Sequence, residues 1–361
     1  MKRVLQGLVV SVAAAVLLSA CSSGATNGPT AQQPGSAAGP KYMIDDQDVT
    51  ALYAAAKQEG RLMYYGGAYP TDQTQAYAEE FKKAFPGIEI EVYRGTTPAV
   101  LERFLSEARG GKFLADVLFQ GDPYTLKSVI KEGLLLEYNL GSVAKYPPNM
   151  ITDKYVYPHS VVYIGPIYNT NLVKGDDEKK LQTDWKFVTD PKWKGKVALT
   201  VPEAGGTSYG PIYMFLGEKR AQFGPDFIKA LQLNVGQAFT STVPATAQVA
   251  AGEFAIHVHG QTPAAGGQIA QGAPIRIAFP APTPAVPVGA AIAAKAPHPN
   301  AAKLFMEWAF SKQGQEKIVE IGTSHVVRTD VTADPFAKYD WYKKPTEIWV
   351  AQDLDAYMKG L

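Results

Sequence analysis

Apolar residues in this chain recur with two periods, and the two periods take turns. Residues 62–65 read as a strand that leaves into the turn Gly66-Gly67-Ala68-Tyr69-Pro70. Over 71–85, Tyr77, Phe81 and Phe85 stand four apart on one helical face, and Pro86-Gly87 stops the helix. Ile88, Ile90 and Val92 then alternate with Glu89, Glu91 and Tyr93, which predicts a half-buried strand. Leu101, Phe104 and Leu105 share one side of a helix over 98–108. Residues 115–119 form a short apolar strand, and Gly121-Asp122-Pro123 opens another helix. A second cycle starts after Val161-Val162-Tyr163. It predicts strands over 196–201, 254–259, 275–279 and 288–294 and a helix over 245–251, with 280–284 as a proline break. The remainder reads as helical over 300–310, over 312–321 and after Pro345. Strands alternating with helices predict an α/β protein.

The N-terminus has a different pattern. Lys2 and Arg3 precede an apolar run over 4–18 that stops at Leu18-Ser19-Ala20-Cys21. Residues 1–20 therefore read as a secretory signal, the run being shorter than the roughly 20 apolar residues of a membrane span. Leu-Ser-Ala-Cys resembles the bacterial lipobox, whose cysteine receives a diacylglycerol and becomes the new N-terminus. Cys21 is the only cysteine in the chain. The alternative is a buried structural thiol; either way the body is built without disulfides. Residues 22–40 are Ser, Gly, Ala, Pro, Gln, Thr and Asn, too polar to bury a core, so 21–45 reads as a flexible tether between lipid and body. The body is near the size at which one core divides into two. With 35 basic and 34 acidic residues, charge offers nothing to nucleic acid.

Certain phrases within the body carry a resemblance. Asp190-Pro191-Lys192-Trp193-Lys194-Gly195-Lys196, Tyr168-Asn169-Thr170, and Ala301-Ala302-Lys303-Leu304-Phe305 followed by Ser311-Lys312-Gln313-Gly314-Gln315 occur here in one order behind the lipobox. Together they resemble the type II solute-binding proteins of ABC importers, in the branch that binds ferric iron, aminoethylphosphonate and sugar phosphates. The resemblance runs from Gly60 to about Val331. It implies two α/β domains joined by two crossover strands around a central cleft, the type II periplasmic binding protein fold. The crossovers would lie near 161–167 and 282–288. Domain I is then 46–163 with 287–361, and domain II is 164–286. The resemblance further implies an extracytoplasmic, monomeric protein without cofactor that closes by hinge motion and hands its solute to a membrane permease. No Walker-type loop is present, so an ATPase lacks its motif; for an exported hydrolase, His159, His257 and His259 remain as bases without a positioned nucleophile.

Ligands of α/β sheets sit beyond the carboxyl ends of strands, and that rule selects the candidate residues. Gly205 and Gly206, followed by Thr207 and Ser208, are either an anion cradle at a helix start or an ordinary capped turn. Thr240, Ser241 and Thr242 offer hydroxyls before another helix, as ligand contacts or as caps. Tyr65, Gly66 and Tyr69 end the first strand, Arg94 and Thr96 the second, and Asp122 the third. Arg94 is either a bidentate anion donor or a solvated surface residue. Asp122 is either a ligand acceptor or a cap. His257 and His259 face one side of their strand, as half a metal site or as polar lining, with His259 nearer the cleft. The ferric relatives carry adjacent tyrosines where this chain has Gln261 and Thr262, and a histidine where it has Tyr69-Pro70. The expected solute is therefore a small anion: an organophosphonate, an organic phosphate or a carboxylate. The alternative is ferric iron held through an accompanying anion or chelator.

Overall fold

A computed structural model describes residues 40–148, 153–322, 324–352, 356 and 359. The signal segment, Cys21 and nearly all of the tether lie outside the described residues. Lys41–Leu361 form a unit held together by its own contacts.

A small hairpin, β1 (Met43–Ile44) with β2 (Gln47–Asp48), opens this unit, and α1 (Thr50–Glu59) comes after it. The alternation predicted from the pattern comes next: β3 (Arg61–Gly66), α2 (Thr71–Ala84), β4 (Glu89–Arg94), α3 (Thr97–Arg109), β5 (Val117–Gln120) and α4 (Leu126–Lys131). The chain then crosses the sheet as β6 (Tyr157–Asn169) and continues through α5 (Asp176–Leu181), β7 (Val197–Thr200), α6 (Gly206–Tyr213), α7 (Gly224–Asn234) and β8 (Val235–Phe239). It ends with α8 (Thr242–Ala251), β9 (Ile256–Gln261), α9 (Thr262–Ala270), β10 (Ile275–Ile277), β11 (Thr283–Ile292), α10 (Pro299–Phe310), α11 (Lys312–Gly322) and β12 (Ile348–Trp349). The sheet order is β4-β3-β5-β11-β6-β9-β7-β8, with β10 added to β6 and β12 to β11.

The two long strands organise everything else. β6 pairs antiparallel with β11 up to Tyr163, then with β9 from Ile164 onward. All residues of β6 and of β11 are buried, as expected of strands covered on both faces. Pro284 and Pro287 lie inside β11, which corrects the expected break over 280–284: the strand already starts at Thr283. Pro287 precedes Gly289, where β5 joins, so the missing N–H falls where β11 has β6 on one side and no β5 on the other.

Helix α2 buries the predicted face. Tyr77 and Phe81 are fully covered and pack on Phe305 and Trp308 of α10, each such ring contributing about 1.5–3 kcal/mol of burial. The C-terminal end differs from expectation. After Pro345 the backbone first forms β12, parallel to β11, and the expected terminal helix starts later, with Ala356 and Lys359 helical. Trp349 and Ala351 join Trp185, Phe215 and Phe227 in one cluster, and Trp349 Nε1 donates to Glu218 at 2.9 Å. Trp349 and Ala351 thus pack with residues of 164–286, although the sequence reading placed them in domain I. Hydrophobicity identifies such a segment as buried but not against what.

Candidate functional site

Five strands end toward one place, and each runs directly into a helix there. Around a cleft of about 450 Å³, mouth included, stand Gly67, Ala68 and Pro70 between β3 and α2, and Arg94, Thr96 and Thr97 between β4 and α3. Ala204, Thr207 and Ser208 come from the start of α6, Ser241, Thr242 and Val243 from that of α8, and Gln261, Pro263 and Ala264 from that of α9. The N-cap positions are Pro70, Thr96, Gly205, Ser241 and Gln261, and none of their side chains bonds its own helix. Each helix start leaves N–H groups without intrahelical partners and carries about half a positive charge. Among the described residues, no Asp or Glu lines the cleft.

Local chemistry explains why these loops hold their shape. Thr97 Oγ1 donates to Gly67 O at 3.0 Å and accepts from Gly121 N at 3.2 Å, tying the loops after β3, β4 and β5 together. Gly67 leaves little room for a side chain: a Cβ there would lie 2.7 Å from Gln120 Oε1 and 3.0 Å from Thr97 Cα, so both neighbours would have to shift. Gly205 has a φ of 128° and would place a Cβ 3.2 Å from Pro98 Cδ, so the α6 start lies directly against the α3 start.

Arg94 is the one cation among the lining residues. Its Nε donates to Tyr69 O at 2.9 Å, which leaves the terminal nitrogens for the cleft; no carboxylate among the described residues pairs with it. Burial pushes its pKa down and nearby Asp72 offsets part of that, but a guanidinium stays charged throughout. Across the cleft, Gln261 Nε2 donates to Thr207 Oγ1 at 2.8 Å. Thr207 spends a lone pair on that bond, and its own proton remains available for a ligand.

Of the residues expected at the site, Arg94, Thr96, Thr207, Ser208, Ser241, Thr242 and Gln261 come together, and Gly205 and Gly206 form the turn that aims α6 at them. The others do not line the cleft. Tyr65 is buried under Arg103, and its hydroxyl donates to Glu107 at 2.8 and 2.9 Å. Tyr69 points its hydroxyl inward to His159 Nδ1 at 2.9 Å and Ser160 Oγ at 2.6 Å, so only its carbonyl serves the site, through Arg94. Gly66 is the last residue of β3, backed by Thr74, and Thr240 is exposed away from the cleft. Asp122 is buried and accepts from Tyr124 N at 2.8 Å, a turn bond ahead of α4 and not the cap of that helix, whose N-cap position is Thr125.

His257 and His259 share one face of β9, as the period of two requires, but that face packs toward β7 and α8. His257 bonds Thr200 Oγ1 at 2.7 Å and Thr246 Oγ1 at 3.3 Å, and His259 Nδ1 meets Thr200 O at 3.1 Å. Burial holds their pKa at about 3 and about 4, so both are neutral. Both ring nitrogens of His257 are engaged by hydroxyls, which leaves no His-x-His chelate, and no group of three or more His, Cys, Asp or Glu among the described residues is placed to hold a metal ion. The sequence reading passed over Thr97, Gly67, Val243 and Pro263. The loops of Thr97 and Pro263 were already marked by Arg94 and Gln261; Thr97-Pro98 and Thr262-Pro263, each a helix start with proline in the first turn, are the signal that could have added these two residues.

The comparisons with known proteins agree with this geometry. The sequence profile of the family described as "Bacterial extracellular solute-binding protein" matches residues 67–316. A Salmonella typhi protein named "Putative 2-aminoethylphosphonate-binding periplasmic protein" is 27% identical over 267 residues, covering 72% of this chain and 75% of that one. Among solved structures, the periplasmic binding protein AfuA of Actinobacillus pleuropneumoniae, with fructose-6-phosphate bound, superposes with a TM-score of 0.66 at 24% identity over 76% of this chain and 88% of that one. Iron-bound HitA of Pseudomonas aeruginosa gives 0.65 at 20% identity, over 79% and 90%. The fold is that of type II periplasmic binding proteins, with two α/β domains around a cleft. The chain belongs to the bacterial extracellular solute-binding proteins, the extracytoplasmic receptors of ABC importers.

Proposed function

We propose that this protein captures a compact anionic solute, an organophosphonate, organic phosphate or carboxylate, and delivers it unchanged to a membrane permease. The observation that carries the reading is the convergence of five helix N-termini on a cleft whose lining includes Arg94 and no carboxylate. An oxyanion placed there meets N–H groups, the Thr207 hydroxyl and a guanidinium, all donors, with helix dipoles of favourable sign. Two of the similar proteins carry a phosphonate or a sugar phosphate in their names, which points the same way. Iron bound through protein phenolates has less support: Gln261 and Thr262 occupy the expected tyrosine positions, and the hydroxyls of Tyr65 and Tyr69 are committed to Glu107, His159 and Ser160.

Capture is by hinge closure of two domains, 46–163 with part of the C-terminal third and 164–286. The exchange of partners by β6 between Tyr163 and Ile164 supports that division. The protein works as a monomer, catalyses no reaction and is held to the membrane by lipid on Cys21, a reading that rests on the sequence motif. Replacing Cys21 with Ala is expected to move the protein from the membrane fraction to the soluble fraction.

The ligand class is tested by thermal unfolding against phosphonates, sugar phosphates, carboxylates, and ferric iron with and without citrate or phosphate. A ligand binding only the folded state adds about 2.7 kcal/mol at about 100 times its Kd, a shift of several degrees. Stabilisation by an organic anion without iron is the expected result. Stabilisation by ferric iron with citrate alone would overturn the anion reading, and recovery of a chemically altered solute would overturn the non-enzymatic one.

A further inference from the structure

We propose that Gln73 is a latch that biases the two domains toward the closed form before any solute arrives. The inference rests on the hinge-closure reading and adds a residue to it that lines no part of the cleft. Gln73 sits in the first turn of α2 and is only 4% exposed. Its Nε2 donates to the carbonyl of Pro263, in the first turn of α9, at 2.8 Å in a buried setting. α2 belongs to the side of the sheet built on β3, β4 and β5; α9 comes after β9 on the other side. This bond therefore spans the two halves at the edge of the cleft and uses only protein atoms.

The fit around it is built for close approach. Gly267, one turn along α9, would carry a Cβ 3.2 Å from Gln73 Nε2, so a larger residue would push the amide away. On the opposite flank the halves touch again: a Cβ on Gly205 would lie 3.2 Å from Pro98 Cδ, and one on Gly121 3.4 Å from Thr207 Cγ2. The cleft is thus bracketed by two seams. One is van der Waals contact between small residues. The other adds a directional hydrogen bond, and that bond is what a single substitution can remove. Opening exchanges it for water, so its net worth is modest, and a modest term is what a reversible latch needs. Any bias toward the closed form raises apparent affinity in proportion to the closed population.

The test compares the full chain with Gln73→Ala and Gln73→Met, the second keeping side-chain length without a donor, after checking that each retains a single cooperative unfolding transition. Small-angle scattering without ligand is the first readout: both variants are expected to show a larger radius of gyration than the parent chain. Calorimetry with inorganic phosphate as the probe is the second, with a Kd weakened roughly three- to tenfold, the size of one net hydrogen bond. Equal ligand-free scattering for parent and variants overturns the latch, whatever phosphate does. Failure of phosphate to bind the parent chain counts against the anion reading and leaves the ligand-free comparison to decide the latch.

Discussion

At the scale of single residues, the site works by keeping donors available and already aimed. Arg94 is anchored through Nε to Tyr69 O, so its outer nitrogens are presented to the cleft with little freedom left to lose. Replacing Arg94 with Met is expected to weaken binding of an organic anion by about 1.5–3 kcal/mol, roughly tenfold to over a hundredfold, as read by calorimetry. Lysine should recover only part of this, because it lacks the planar fork. An unchanged Kd for Arg94→Met would place the anion elsewhere. On the proposed reading Gln261 acts one step back from the ligand, through its bond to Thr207. Gln261→Leu should leave the melting temperature close to that of the parent chain and cost about 1 kcal/mol of affinity by freeing the Thr207 hydroxyl to rotate; an equal loss in Thr207→Val, with no further loss in the double variant, would establish that the two act as a unit.

Among the elements, the helix start is the working part, and α6 is the most constrained of the five. Gly205 holds a backbone conformation that L-residues avoid and lies against Pro98 and Thr97. Gly205→Ala should cost about 1–3 kcal/mol in backbone strain, and more where the new methyl meets Pro98. Both the melting temperature and anion affinity should fall; a variant as stable and as tight as the parent would remove α6 from the site. The phrases that revealed the family do other work. Asn169 Nδ2 donates to Val249 O at 2.8 Å, tying the end of β6 to α8, and Asp190 accepts from Lys192 N at 3.0 Å to cap a short helical turn beside buried Trp193. These motifs build the frame and touch no part of the cleft.

For the whole molecule, near-neutral charge means little long-range steering, so on the proposed reading selectivity rests on the local field of the cleft. The body also carries three neutral histidines that are fully buried: His159 at about 3, His257 at about 3 and His259 at about 4, each lowered from 6.5 by burial. The unfolded chain binds a proton at each as pH falls below 6.5, while the folded chain does not. Their contribution is therefore complete above about pH 6.5 and is lost as pH falls toward about 3–4. At about pH 5 each costs about 2 kcal/mol, a sizeable share of a typical stability of about 5–15 kcal/mol. The melting temperature should drop steeply between about pH 7 and about pH 5. A flat profile over that range would mean that these rings are hydrated or already charged in the fold.

The alternation of periods was enough to determine the α/β class, most of the strands from β3 to β11, and the buried face of α2, because burial on one or two faces writes itself into the spacing of apolar residues. Gly-rich and hydroxyl-rich stretches at strand ends likewise marked the loops around Thr207, Ser241 and Arg94. Which side chains reach the cleft was a different matter. Tyr65, Tyr69, Asp122, His257 and His259 are polar residues in or beside such loops, as Arg94 is, yet they turn into the interior, where they bond Glu107, His159, Tyr124 N and Thr200. Their partners lie up to 90 residues away in the chain. No local pattern records such a partner, because a buried hydrogen bond is made by whichever groups the packed sheet brings within about 3 Å. The same holds for Thr97 joining three loops, for Gln73 meeting Pro263, and for Trp349 crossing to Glu218. The sequence determined the elements and the order of the loops; only the tertiary structure decided which of their polar groups face the cleft and which hold the frame.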